Sequence, residues 1–127
     1  MKYLLDTHVI IWYFENSPEL PLRIKELVRA HENEIYFCSI SLLEIAIKLN
    51  IGKLRLSFTF DDLINDVKNR DFNILQIEDE HLKKYVNLPF IHKDPFDRLI
   101  IAAALAEDLT IITADENIQK YDVPWIW

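Results

Sequence analysis

Asp94-Pro95-Phe96-Asp97-Arg98-Leu99-Ile100-Ile101-Ala102-Ala103-Ala104-Leu105-Ala106 runs, after a polar break, into Thr110-Ile111-Ile112-Thr113-Ala114-Asp115. From Phe96 to Ala106 the first part is apolar almost all round, as expected of a helix buried on several sides. The second part is a short β-branched run, the signature of a strand. A buried helix feeding an apolar strand is the repeating unit of an α/β domain.

The same alternation extends outward in both directions. Lys2-Tyr3-Leu4-Leu5, Ile35-Tyr36-Phe37-Cys38 and Asn73-Ile74-Leu75-Gln76-Ile77 read as further strands, and Trp125-Ile126-Trp127 as a short edge strand. Between them lie apolar stripes at helical spacing. One comprises Leu20, Ile24, Leu27 and Val28. A second comprises Leu42, Ile45, Ala46 and Leu49, with Gly52 as a stop signal. Phe60, Leu63, Ile64 and Val67 make a third, and Leu82, Tyr85 and Val86 a short fourth. Strands separated by helices predict an α/β fold with a mostly parallel four- or five-stranded sheet flanked by helices and joined by right-handed crossovers. The length of 127 residues fits a single domain spanning 1–127.

Composition bounds the function. Half the residues are hydrophobic and 28% are charged, a globular balance. The lone cysteine, Cys38, lies in an apolar run and reads as a buried thiol. No Cys/His group has zinc spacing. There is no signal-peptide pattern and no apolar run near the roughly 20 residues of a membrane helix, so a cytoplasmic protein without membrane contact is expected. The net charge of −7 argues against holding nucleic acid by bulk electrostatics. An RNA substrate would need bound cations and a local basic rim, for which Lys48, Lys53, Arg55, His92 and Lys93 are candidates. An acidic chain also suits a basic protein partner.

In parallel sheets ligands bind beyond the carboxyl ends of the strands. Asp6 directly follows the first strand. Glu44 is placed in the first turn of the helix after the second. Asp94 and Asp97 flank Pro95-Phe96 at the start of the long helix, and Asp115 follows the fourth strand. All five are expected on one edge. Each also sits where a helix cap is welcome: Ser41-Leu42-Leu43-Glu44 has a capping-box pattern, and Asp94-Pro95 is a normal helix start. Capping does not require the acids to converge, however, and converging carboxylates repel unless cations or protons compensate. Oxygen-rich acidic sites suit Mg²⁺, with phosphate oxygens among its ligands, and such sites hydrolyse phosphodiesters through a metal-activated water. No Ser/His/Asp or Cys/His constellation competes, and the single glycine, Gly52, excludes a Gly-rich phosphate loop.

Four blocks carry a family resemblance. Leu4-Leu5-Asp6-Thr7-His8 resembles the opening of PIN domains. Ser39-Ile40-Ser41-Leu42-Leu43-Glu44-Ile45-Ala46-Ile47-Lys48, followed by Gly52-Lys53-Leu54, resembles the second acidic block of VapC-like toxins. Asp94-Pro95-Phe96-Asp97-Arg98-Leu99-Ile100-Ile101-Ala102 and Thr113-Ala114-Asp115 resemble the third and fourth. The resemblance spans nearly the whole chain in order. It implies a three-layer PIN-like fold and a Mg²⁺- or Mn²⁺-dependent endoribonuclease, the toxin of a type II toxin–antitoxin pair. It further implies a cognate antitoxin and a homodimer. Asp6, Glu44 and Asp97 become the core metal-binding acids, with Asp115 as the fourth and Asp94 as a ligand or only a cap.

Around these acids, Thr7 and Thr113 are candidates to orient a carboxylate, a metal-bound water or substrate. Arg98 is a candidate for a substrate phosphate or, more simply, for an ion pair with a neighbouring acid. Lys48 is a candidate substrate contact. His8 and His92 read as surface histidines near the pocket. Of Trp12, Tyr13 and Phe14, one or two are expected in the core and any exposed member at a partner interface. Two other functions fit the pattern less well. One is a PIN-like nuclease in RNA processing or on structured DNA, without an antitoxin. The other is a receiver-type phosphoacceptor domain, which would need an acceptor Asp at the end of the third strand. That segment ends Gln76-Ile77-Glu78-Asp79, where Asp79 reads as a cap, and a second acid pair after the first strand is missing.

Overall fold

The structure is a computed structural model describing Met1–Trp127. Five strands, β1 (Lys2–Leu5), β2 (Glu34–Cys38), β3 (Phe72–Leu75), β4 (Thr110–Ile112) and β5 (Trp125–Ile126), form one sheet in the order β3-β2-β1-β4-β5. Every neighbouring pair is parallel, so the expected mostly parallel sheet is wholly so. Seven helices flank it: α1 (Thr7–Phe14), α2 (Leu22–Arg29), α3 (Ser39–Asn50), α4 (Phe60–Asn69), α5 (Asp79–Val86), α6 (Pro95–Glu107) and α7 (Glu116–Gln119).

The three layers follow from the two-residue period of a strand. Tyr3 and Leu5 of β1, Ile35 and Phe37 of β2 and Ile112 of β4 point into one core, packed by α1, α2, α3 and α4. Leu4, Cys38 and Ile111 point into the other, packed by α6 and α7. Strands buried on both faces need no polar alternation, which is why these segments read as continuous apolar runs. Ile100 and Ile101 of α6 are fully buried, each worth about 1.5–3 kcal/mol of transfer energy. Burial also pushes the Cys38 thiol up to about 12, so it stays protonated and inert.

Two helices were not legible as such. Thr7-His8-Val9-Ile10-Ile11-Trp12-Tyr13-Phe14 is apolar nearly throughout, with no helical stripe, yet forms α1, where Thr7, Val9, Ile10, Ile11 and Tyr13 are all buried. The four-residue α7 is too short to show a period. Helix α3 ends as its glycine suggests. Gly52 sits at φ 75°, its N–H donates to Leu49 O, and Lys53 N–H donates to Lys48 O, the paired bonds of a Schellman cap. Asp79 is not a cap: it is the first residue of α5, and Glu78 occupies the cap position.

Because all strands are parallel, each crossover helix runs back from the carboxyl edge of the sheet. The starts of α1, α3, α6 and α7 therefore gather at that edge, the first three around the central strand β1 and its neighbours.

Candidate functional site

Each acid arrives at this edge by its own local mechanism. Asp6 follows β1 and caps α1, its Oδ1 accepting Thr7 N–H at 2.7 Å. Its Oδ2 accepts the Thr113 hydroxyl at 2.8 Å, across β1 and β4. Asp94 caps α6, accepting Phe96 N–H and Asp97 N–H at 2.9 and 3.0 Å, with Pro95 in the first helical position. That turn makes Asp97 the third residue of α6, where it is buried. Asp115 caps α7, accepting Asn117 N–H at 2.8 Å.

Glu44 differs from its expected place. Helix α3 begins at Ser39, straight from β2, so Glu44 lies in its second turn and Ser41 is inside the helix rather than capping it. No capping box exists there. Ser41 is fully buried and accepts the Thr7 hydroxyl at 2.9 Å, tying α3 to α1. Glu44 is 4% exposed; its Oε2 meets Lys48 Nζ at 2.8 Å while its Oε1 is buried with no partner. A buried oxygen without a donor is costly unless something outside the chain satisfies it.

The electrostatics show that the acids lie within reach of one another. Burial, reinforced by the carboxylates of Asp6, Asp94, Asp115 and Glu44, raises Asp97 to about 8. Burial raises Asp6 to about 6, although Thr113, His8 and the Thr7 N–H oppose it. Partial burial works against the Lys48 ammonium, but its bond to Glu44 and the nearby Asp94 and Asp97 hold it above its ordinary value. In the rotamers present no three acids converge into a finished metal cage. Instead Asp6 is turned to Thr113, Glu44 to Lys48 and Asp97 to His92, each carboxylate resting on a protein donor.

Arg98 does neither of the things its position suggested. It is buried and forms no ion pair with an acid; its guanidinium lies 5.2 Å from the Tyr85 ring centre and 5.1 Å from that of Phe90. Its Nη1 donates to Pro89 O, His92 O and the Tyr121 hydroxyl. Nor is the Thr7 hydroxyl open to substrate, since it is buried against Ser41. Thr113 does orient a carboxylate, and its Oγ1 also accepts Asp115 N–H at 3.0 Å, linking two acids through one hydroxyl. His92 is turned inward rather than outward, with its ring between Asp97 and Tyr121. Sequence reasoning took Ser41 for a cap and missed its bond to Thr7, and it missed Tyr121 and this role of His92, which carry no spacing signal.

Beside Asp6 and Asp115 opens a cleft of about 160 Å³, also lined by His8, Trp12 and Ala114. Trp12 is half-buried, its ring 5.7 Å from His8 and 5.8 Å from Trp127; Tyr13 is buried in the first core, and half-buried Phe14, like Trp12, packs against it. Exposed Lys53, Arg55 and Lys93 remain as cations not committed to any ion pair.

The family model described as PIN domain matches residues 3–124. The chain belongs to the PIN domain family. The receiver-type alternative is thereby set aside. Solved structures similar to this PIN domain include VapBC2 from Rickettsia felis bound to a DNA fragment from their promoter, at 20% identity and a TM-score of 0.76, covering 99% of this chain and 98% of that one. FitAcB from Neisseria gonorrhoeae is 20% identical with a TM-score of 0.70, over 98% and 96% of the two chains. VapBC-1 from nontypeable Haemophilus influenzae is 22% identical with a TM-score of 0.68, over 99% and 97%. These likenesses establish a shared fold. Against curated protein sequences no match was found. No helix of this PIN domain is long and apolar enough to cross a membrane.

Proposed function

We propose that this PIN domain is a Mg²⁺- or Mn²⁺-dependent endoribonuclease acting as the toxin of a VapC-type toxin–antitoxin pair. The observation that carries the reading is the gathering of Asp6, Glu44, Asp97 and Asp115 at one sheet edge, with Glu44 Oε1 buried and unsatisfied and Asp97 burdened by the other acids. Hard oxygen donors that repel one another in a half-buried setting fit a divalent cation. Asp6, Glu44 and Asp97 would hold it, with Asp115 assisting and Asp94 serving chiefly as the α6 cap. A cation bound there supplies Lewis acidity and an activated water for phosphodiester hydrolysis. The chain's own groups orient the ligands: Thr113 fixes Asp6 and Asp115 relative to each other, and Ser41–Thr7 locks α3 against α1. Lys53, Arg55 and Lys93 stand as the cations for the RNA backbone in an otherwise acidic chain.

The relatives VapBC2, FitAcB and VapBC-1 support an antitoxin partner for this chain. Its tail is expected across the carboxylate edge, with an Arg or Lys near Asp6, Glu44 and Asp97 and an apolar contact on Trp12. Lys48 against Glu44 shows that a cationic side chain fits these acids. A guanidinium does so better, through paired hydrogen bonds. Expressed alone, the chain should arrest growth and leave RNA fragments with a common end sequence; with its partner it should do neither. An antitoxin tail bound far from the acids, with cleavage still inhibited, would refute this mode of inhibition. Intact RNA on expression alone would refute the ribonuclease.

A homodimer has structural support in apolar residues left at the surface. Leu43 and Ile47 of α3, Leu82 and Val86 of α5, and Phe90 are all exposed, Val86 at 81% and Phe90 at 76%. Leu82 also lines an apolar cleft of about 240 Å³ between α3, α5 and α6, together with Ile40, Tyr85, Pro95, Phe96 and Leu99. Surface this apolar favours a protein contact. Light scattering should give twice the chain mass, reverting to a single chain in Val86→Glu; a monomer at all concentrations would exclude the dimer.

A further inference from the structure

We propose that His92 is a positioning residue for Asp97, set in one tautomer by a relay that begins at Arg98 and passes through Tyr121. The inference rests on the metal-nuclease reading above and adds a named support to one of its acids.

The direction of the relay follows from which groups can donate. A guanidinium has donors only, so Arg98 Nη1 must donate to the Tyr121 oxygen, at 2.9 Å. The tyrosine oxygen, which also accepts His92 N–H at 3.3 Å, has one proton of its own to give. Its partner is His92 Nδ1 at 2.8 Å. With Nδ1 accepting, neutral His92 carries its proton on Nε2, and Nε2 lies 3.1 Å from Asp97 Oδ2. The carboxylate thus receives an N–H at one oxygen. That bond engages Oδ2 and leaves Oδ1 outside the relay.

Each member is held from outside the relay. Arg98 is clamped between the Tyr85 and Phe90 rings, and it also binds Pro89 O and His92 O, so it fixes the backbone of the turn that carries His92. The Tyr121 ring meets the His92 ring nearly edge-on, at 69° and 5.4 Å, and Tyr121 is itself buried. An arginine buried without a carboxylate partner is otherwise unexplained; here its charge orders a turn, a phenol and an imidazole that together aim one acid. Hydrogen-bond partners of this kind restrict the rotation of a ligating group and tune its basicity.

Calorimetric titration of Mn²⁺ into the purified chain tests the proposal without relying on cleavage. His92→Ala is expected to weaken Mn²⁺ binding by about 10- to 100-fold. His92→Gln, which keeps an N–H donor near Oδ2, should recover most of that loss. Tyr121→Phe keeps the ring but frees the tautomer, and should show a smaller loss in the same direction. Metal-free melting temperatures should not track these affinities. Mn²⁺ affinity unchanged in all three variants, or lost equally in His92→Ala and His92→Gln, overturns the positioning role. If the unaltered chain takes up no Mn²⁺, the metal-nuclease reading itself fails and the inference falls with it. Insensitive variants of a chain that does bind Mn²⁺ sink the inference alone.

Discussion

Asp97→Asn is expected to melt higher than the unaltered chain at pH 8 in the absence of metal, while RNA cleavage falls by orders of magnitude. The stability effect follows from the sign of the shift. Asp97 is raised to about 8 in the folded chain, against about 3.9 for a free aspartate. Between those values the folded state holds a proton that the unfolded chain has released. Stability is therefore fully present below about pH 4 and is lost as pH climbs towards 8. Asparagine has no proton to lose and escapes this loss. Its removal of a negative charge from the first turn of α6 costs only ~0.3–1 kcal/mol, whereas each unit of pKa shift is worth ~1.4 kcal/mol, so the gain wins. Asp6→Asn and Glu44→Gln should likewise abolish cleavage in folded protein. A residue that only builds the fold would behave in the opposite way, with activity intact and a lowered melting temperature. Thermal melts at pH 5 and pH 8 beside a cleavage assay separate the two, and the second pattern would remove these acids from the chemistry.

A second large effect is expected from metal itself. Excess chelator should stop cleavage, and Mg²⁺ or Mn²⁺ should restore it. Metal should also raise the melting temperature, and more at pH 8 than at pH 5, because ligating carboxylates must be ionised. At 100 times its dissociation constant a ligand adds about 2.7 kcal/mol, a shift easily read in a thermal scan. Cleavage that persists in chelator, with contaminating nuclease excluded, would end the metal mechanism.

The ends of strands and the acids after them were legible because burial on both faces forces β1, β2 and β4 to read as apolar runs. The position of Asp94 as a cap was equally plain from Pro95. Glu44 was placed a turn too early, because Ser41 mimics a cap when α3 in fact springs directly from β2 at Ser39. Helix α1 was hidden for the same reason that it is stable: a helix buried on several sides loses the polar face by which a period is recognised. Arg98 misled because charge suggests an acidic partner, and nothing in one dimension shows that Tyr85, Phe90 and Tyr121 surround it. Contacts between distant segments, such as Thr7 with Ser41 or His92 with Tyr121, are set by packing and leave no local pattern.

The bond from Thr113 to Asp6 joins residues 107 positions apart, and β1 lies between strands supplied by the second and fourth strand segments. During synthesis, then, Asp6 must wait for 107 further positions of chain before Thr113 can meet it. A half-translated copy possesses Asp6 and Glu44 without β4, Asp97 or Asp115. The sheet edge that gathers these acids is consequently completed in one late step rather than by degrees, once β4 has been made and taken its place beside β1.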